Sequence, residues 1–290
     1  MRTPSPREGA VVAGRAPVML VYSLPDTAGS GAARELRRLT DWRSCSLPRA
    51  AECLHSPGLN AYLAGFSEDS IHLDFLDEVA PSEVEAYIVL SRHSGGKPSL
   101  TAHYPGNPGP EAPYGGRPRE LAHTWPRLLV ALIREYRRVA GEAGLLQEFS
   151  LSLEATHHGP TSLKKPIVFI EIGSGEREWG RSDAHRALAE TVLRVLERGW
   201  LSEPCASVAM GVGDTHYPAS HTRAVLEEGV CYSHIFSRHV LNSLTEEVLA
   251  QAVDKSRDPV DSVRLAKVSS RVKRLVADFA ERKGLRVEKA

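Results

Sequence analysis

No two of the four cysteines, Cys45, Cys53, Cys205 and Cys231, stand in C-x-x-C spacing, so a zinc ribbon is not encoded. They are expected as buried or unpaired thiols in a reducing compartment. Long apolar stretches are missing too. The longest run in the middle of the chain, Leu128 to Ile133, is far too short to cross a bilayer. The opening MRTPSPREGAVVAGRAP lacks the apolar centre of a signal peptide. A flexible tail over 1–16 and a cytoplasmic protein without membrane contact are therefore expected. Neither sign of charge is in excess, because Lys+Arg and Asp+Glu are both 36. That balance does not advertise nucleic-acid binding, although a local basic patch fits within it. There is no P-loop, no G-x-S-x-G and no H-E-x-x-H. GSGERE at 173–178 and GVGDTH at 211–216 begin as G-x-G, but neither completes G-x-G-x-x-G.

What the chain does have is a repeated local pattern. With 290 residues, 42% hydrophobic and 25% charged, it can build a sizeable core. Short apolar runs that end in Gly, His, Ser or an acid recur at 17–30, 86–96, 151–160, 166–175 and 207–218, and more weakly at 230–236. Between several of them lie helical patterns. These are 32–40, 119–144 with Pro126 near its first turn, and 182–199 with Ser182 as an N-cap candidate and Gly199 as a stop. Residues 261–284 read as one long amphipathic helix or two, and Leu100 to His103 as an edge strand. Near-continuous apolar strands alternating with helices predict an α/β fold, a mostly parallel sheet with helices on both faces. A single domain over 17–290 is expected, with a Pro/Gly-rich loop insertion at about 104–118 able to close over a site.

In such sheets ligands sit outside the carboxyl ends of the strands, and there the polar residues collect. In SLEATHHGPTSL (152–163) an apolar strand ends in an acid, a hydroxyl and two imidazoles. An extended backbone puts Glu154, Thr156 and His158 on one face and His157 on the other. Glu171 interrupts the apolar run FIEIG and needs a His or Arg partner from a neighbouring strand. His93, His103, His157, His158 and His216 all fall near strand ends. Imidazoles and carboxylates suit zinc, and the metal-ligand candidates are His93, His158, Glu171 and His216. Basic clusters such as Lys267, Arg271, Lys273 and Arg274 read as solvated helix faces. Lys164 and Lys165 directly follow the histidine block and are expected to hold a phosphate backbone beside the site.

The block EATHHGPT (154–161), followed by FIEIGS (169–174) and Trp179, resembles the D-aminoacyl-tRNA deacylase family of archaeal and plant type. SRHSGGKPSLTAHYPGN (91–107), GVGDTHYPASHT (211–222) and SHIFSRHVL (233–241) resemble further blocks of it, in order, over most of residues 17 to 285. The pattern departs at Asp214 and Thr215, where that family has glycines, and again at Ser233 and 236–238. The resemblance implies hydrolysis of the ester between a D-amino acid and the tRNA 3′ end, a chiral-proofreading activity that disposes of D-amino acids. It also implies zinc as cofactor, tRNA as partner, and a fold related to nucleoside phosphorylases and peptidyl-tRNA hydrolases.

Glu154, His157, His158, Thr161 and Glu171 are then the catalytic candidates. Arg92, His93, His103, Gly159, Gly173, His216, Tyr217, Lys164 and Lys165 are the substrate-binding candidates. Water activation falls to His158 or His157, and backbone amides near Gly159 or Gly173 are oxyanion candidates. No obligate protein partner is implied, and a monomer is expected. The alternatives are a nucleoside phosphorylase or nucleosidase, and a non-catalytic module that binds the tRNA acceptor end.

Overall fold

The computed structural model describes residues 16–290, so the expected tail at 1–16 lies outside the described residues except for Ala16. The strands are β1 (Val18–Ser23), β2 (Arg43–Ser44), β3 (Glu52–Ser56), β4 (Ala61–Phe66), β5 (Ala86–Ser94), β6 (Ser99–His103), β7 (Gly106–Asn107), β8 (Glu120–Leu121), β9 (Ser150–Leu153), β10 (Ile167–Ser174), β11 (Ser207–Val212), β12 (Val230–Phe236), β13 (Ser262–Leu265) and β14 (Arg286–Lys289). The helices are α1 (Thr27–Leu39), α2 (Leu76–Val79), α3 (Pro126–Glu142), α4 (Glu176–Trp179), α5 (Ser182–Arg198), α6 (Ala219–Arg223), α7 (Glu246–Asp254) and α8 (Ser270–Lys283).

An 8-stranded sheet has the order β2-β3-β4-β1-β5-β10-β6-β9, and a 4-stranded sheet the order β12-β11-β13-β14. The centre of the large sheet, β4-β1-β5-β10, is parallel, as is the whole small sheet. The fold is thus α/β with mostly parallel sheets. The apolar runs β1, β5 and β10 are buried along nearly their whole length, as central parallel strands must be. Helices α1, α3 and α5 cover one face of the large sheet and bury Leu36, Leu132 and Leu188 there. The other face carries Val21, Phe66, Val89 and Phe169 under Leu73, Leu76 and Val79, from the short α2 and the turn before it. A third apolar cluster fills the small sheet against α7 and α8. Among the described residues no helix is long and apolar enough to cross a membrane.

Several expectations need correction. Strand β6 is not an edge. It runs antiparallel to β10 and carries β9 on its far side, so β9 is the edge. The segment 261–284 is not all helix. Ser262 to Leu265 pair with β11, with the apolar Val263 and Leu265 alternating with Ser262 and Arg264, and α8 starts only at Ser270. A period of two over four residues is easily lost beside a long helical pattern. Helix α5 starts at Ser182 itself, with Arg181 at the cap position. Strand β3 carries little signal of its own, being short and polar at Glu52, His55 and Ser56, whereas the apolar β4 is a strand not among the runs picked out from the sequence. The cysteines are not free thiols. Cys45 pairs with Cys53 and Cys205 with Cys231, with Cα separations of 5.0 and 5.5 Å. Strand pairing creates both meetings, since Cys45 donates its N–H to the Cys53 carbonyl and Cys231 lies on β12. Sequence spacing alone does not reveal either.

Two consequences are measurable. Burial keeps His221 at about 4 and His234 at about 3, so both are neutral when folded. The unfolded chain, with imidazoles near 6.5, binds protons that the folded chain refuses. Stability should therefore fall as pH drops from about 6.5 to about 4, by about 1.4 kcal/mol per pH unit for each histidine. Urea unfolding of His221→Gln across that window should have a shallower slope than wild type, and an equal slope would refute the assignment. Cys231→Ser, or reduction, should cost about 3 kcal/mol by opening the longer loop. A melting temperature indifferent to reductant would show that this bond does not stabilise the chain.

Candidate active site

Strand register assembles the site on a face of the large sheet. On β5, Ser91 and His93 follow Val89 on one face, and Glu171 on β10 stands opposite Ser91. On β6, Thr101 stands opposite Glu171 and His103 opposite Phe169. Because β6 and β9 run against β10, the carboxyl end of β9 points away from those of β5 and β10. The site therefore lies over the sheet's face at the carboxyl ends of β1, β5 and β10, where Asp26, Ser91 to Ser94 and Glu171 line the cavity, while β6 and the end of β9 reach it from the opposite direction.

The segment after β9 crosses this face between the two sheets. Glu154 N–H donates to Ala102 O, Ala155 N–H to His216 O and Thr156 N–H to Ile235 O, at 3.1, 2.8 and 2.8 Å. The backbone is no longer an extended strand, and His158 sits at φ 47°. Alternation fails as a result. His157 and His158 both line the cavity, while Thr156 turns away to bond His234 Nδ1 at 2.9 Å. The cavity measures about 510 Å³ and is closed by Asp69, Ser70, Ile71 and Tyr114.

Charge is concentrated and buried. Glu154 and Glu171 are 2% and 3% exposed, so each needs a partner. His93 stands between them, with Nδ1 3.0 Å from Glu154 Oε1 and 3.6 Å from Glu171 Oε2. Burial opposes its charge, but the two carboxylates outweigh burial and push His93 up to about 11, so it is an imidazolium. Glu154, despite burial, is held well below the usual carboxylate range by His216, 2.8 Å away, and His93. Glu171 accepts from Ser91 Oγ at 2.8 Å and Thr101 Oγ1 at 3.2 Å. It is also lowered, with His103 and His93 overcoming its burial. His103 is raised, since Glu171 outweighs its burial.

His157 and His158 go the other way. Burial and the neighbouring His103 depress both, His158 to about 4. A carbonyl only accepts, so the Nδ1 atoms that meet Ala155 O at 2.8 Å and Gly159 O at 2.6 Å carry the protons. Both Nε2 atoms then present lone pairs. That of His157 faces Glu154 Oε2 at 3.7 Å. Two lone pairs facing each other favour a cation between them. Glu154, His157 and His216 offer ligand atoms within 4.8 Å of one another, and so do His103, His157 and His158, and His93, Glu154 and Glu171. Both ring nitrogens of His103 also lack hydrogen bonds. The donor set fits zinc. The four expected ligands His93, His158, Glu171 and His216 are spread over these three groups and do not form one set.

The structure brings Arg92, His93, His103, Glu154, His157, His158, Glu171, His216 and Tyr217 together. Tyr217 Oη lies 2.7 Å from His93 Nε2. Arg92 is held by Asp69 at 3.0 Å. Gly173 is a spacer, since a Cβ there would meet His93 Cδ2 at 2.5 Å. Gly159 lets the Gly115–Gly116 turn approach, and its N–H is committed to Tyr114 O at 2.9 Å, so it is no oxyanion donor. Gly173 lies inside the β10 ladder. Thr161 is buried away from the cavity, donating to Glu120 at 2.7 Å and accepting from Arg117 N–H at 2.9 Å. Lys164 and Lys165 sit near Asp77 and Pro81, off the cavity.

Ser91, Thr101, Asp69, Phe169 and Tyr114 were missed as site residues. Only cross-strand register marks the first two. Asp214, at a position where glycine was expected, adopts φ 73°. Its carboxylate accepts from Ser220 N–H and Oγ at 2.9 and 2.8 Å, fixing the loop that carries His216.

The family model for D-aminoacyl-tRNA deacylase matches residues 80–288. The chain belongs to this family. A D-aminoacyl-tRNA deacylase of Hyperthermus butylicus is 64% identical over 271 residues, covering 93% of this chain and 99% of the relative. One from Staphylothermus marinus is 43% identical, covering 83% and 86%. One from Aeropyrum pernix is 38% identical, covering 93% and 98%. A crystal structure of a conserved protein of unknown function superposes with TM-score 0.85 at 30% identity, covering 95% of this chain and 96% of that one.

The charge arrangement predicts an NMR result. In metal-free protein, the His93 ring should remain protonated through pH 9. Glu154→Gln should bring its titration downward by removing one of the two anions that hold the proton. A wild-type His93 that titrates near 6.5 would overturn the arrangement.

Proposed function

We propose that this cavity is where the enzyme, a D-aminoacyl-tRNA deacylase, hydrolyses the ester joining a D-amino acid to the tRNA 3′ end. The observation that carries the reading is the division of protons in one cavity. A buried imidazolium, His93, faces neutral imidazoles whose lone pairs point inward. Ester hydrolysis needs that pair of capacities: an acceptor for the water proton and a donor for the oxyanion.

His158 Nε2 takes the proton from the attacking water. As an imidazolium with a depressed pKa, it returns that proton readily to the departing ribose oxygen. His93, charged, donates through Nε2 to Tyr217 Oη. The Tyr217 hydroxyl hydrogen is then free to donate to the ester carbonyl oxygen as it becomes negative. Glu171 keeps His93 charged without touching substrate. Glu154, His157 and His216 would hold the zinc ion, with the His216 proton moved to Nδ1. Zinc there supplies Lewis acidity and a bound water acidified toward neutral pH. Chirality would be enforced by the shape of the cavity, which admits the D form and clashes with the L side chain. The phosphorylase alternative lacks support, because Lys164 and Lys165 stand off the cavity and Arg92 is engaged by Asp69.

Deacylation of D-Tyr-tRNA against L-Tyr-tRNA, with and without chelator, tests the reading. Release of the D form only, lost with chelator and restored by zinc, is expected. Selective release that ignores chelator would remove zinc, and no release would overturn the site. His158→Ala should lower kcat/KM more than tenfold, about 1.4 kcal/mol of barrier. Tyr217→Phe should lower kcat about a hundredfold, with KM little changed.

A further inference from the structure

We propose that the basic groove at the carboxyl edge of the small sheet binds phosphates of the tRNA acceptor arm, an inference that rests on the deacylase reading of the neighbouring cavity. The groove, about 1000 Å³, lies where β12, β13 and β14 end, and Arg238, Lys267 and Lys289 line it. Lys273 of α8 stands in the adjoining cavity, which shares Lys267 and Lys289. None of these four side chains forms an ion pair or hydrogen bond with the described residues. Much of the remaining surface behaves differently, with Arg37, Arg127, Arg181 and Arg194 each held by a carboxylate. Cations left unpaired and close together repel one another, and a polyanion relieves that repulsion.

The acidic side chains lining the groove and the adjoining cavity are Asp214 and Glu288, and Glu288 is already paired with Arg264 and Arg286. The Asp214 carboxylate is already satisfied by Thr215 N–H and by Ser220 N–H and Oγ. It therefore holds its loop and does not neutralise the lysines.

Placement ties the groove to the site. Asp214 and Thr215, on the groove wall, directly precede His216 and Tyr217. Arg238 donates its N–H to Asp214 O at 2.8 Å. The next residue, His239, lines a third cavity, of about 400 Å³, together with Tyr114, His157 and His158. A strand whose phosphates lie on Arg238, Lys267 and Lys289 thus reaches the histidines through this third cavity. The exposed ring of Tyr114 offers a stacking surface there for the terminal base. Phosphate contacts of this kind set position and affinity, and leave the chemistry to the other end of the path.

Fluorescence anisotropy with uncharged tRNA reads the groove independently of the reaction. The double variant Arg238→Glu/Lys267→Glu should bind about tenfold or more weakly at about 100 mM salt. Its slope of log Kd against log salt should fall by about 1 for each phosphate no longer neutralised. Arg43→Glu, on the distant edge strand β2, changes charge in the same sense and should leave binding as in wild type. With D-Tyr-tRNA the double variant should raise KM in proportion and keep kcat within about twofold. With 3′-O-D-tyrosyl-adenosine, which has no phosphates, it should match wild type. Wild-type binding by the double variant, or an equal loss in Arg43→Glu, would overturn the proposal. An enzyme that hydrolysed neither ester would instead overturn the reading of the cavity, while the binding measurement would still decide the groove.

Discussion

One imidazolium held between two buried carboxylates organises the site. Glu154 and Glu171 are almost fully removed from solvent, and burying either charge without a counter-ion would cost several kcal/mol. His93 resolves both at once. Its place is fixed from several directions: β5 register sets it opposite Gly173, Gly173 leaves room for its ring, and Trp179 Nε1–H donates to its carbonyl at 2.8 Å. Trp179 is in turn fixed by His185, whose Nε2 meets its carbonyl at 2.6 Å. The histidines farther along the cavity feel the consequence. Their own burial, and then the positive charge of His103, leave His157 and His158 neutral. Carboxylates that outweigh burial at His93, and burial that prevails at His157 and His158, thus produce the charged and the neutral imidazoles that the proposed reaction requires.

Much of this was legible in the sequence. The apolar runs at β1, β5, β10, β11 and β12 carried their own strand signal, and so did the amphipathic faces of α3 and α5. That Glu171 must find a His or Arg partner followed from one acid inside FIEIG, and His93 and His103 lay in the neighbouring runs. What stayed hidden depends on strand direction and through-space meeting. Nothing local says that β6 runs against β10, and that reversal is what sets Thr101 opposite Glu171 and His103 opposite Phe169. The face argument for His157 fails for a separate reason, because alternation holds only while the backbone stays extended and β9 ends at Leu153. Thr161 belongs to the same short motif as the histidines, yet its hydroxyl faces Glu120. Motif membership does not distinguish a group that reacts from one that fastens the loop. The disulfides were hidden for a related reason, since separations of 8 and 26 residues carry no information about which strands lie side by side.

The two sheets divide the work. The large sheet supplies the charged floor, through Ser91, His93, Thr101, His103 and Glu171. The small sheet supplies His216 and Tyr217 from the loop after β11, and on the proposed reading it also supplies the grip on RNA. Asp214 joins the two tasks. A side chain where glycine was expected accepts a left-handed backbone and uses its carboxylate to stiffen the loop carrying both site residues.

The path of residues 154–156 has a further implication. Consecutive amides donate first to the large sheet, at Ala102, then to the small sheet's loop and strand, at His216 and Ile235. Neither sheet can draw away from the other without breaking this stitch. The amide hydrogens of Glu154, Ala155 and Thr156 should therefore exchange with solvent only through openings that also dismantle the cavity. Their protection factors would report the free energy holding the cavity together, one residue at a time, in resting protein with no substrate present.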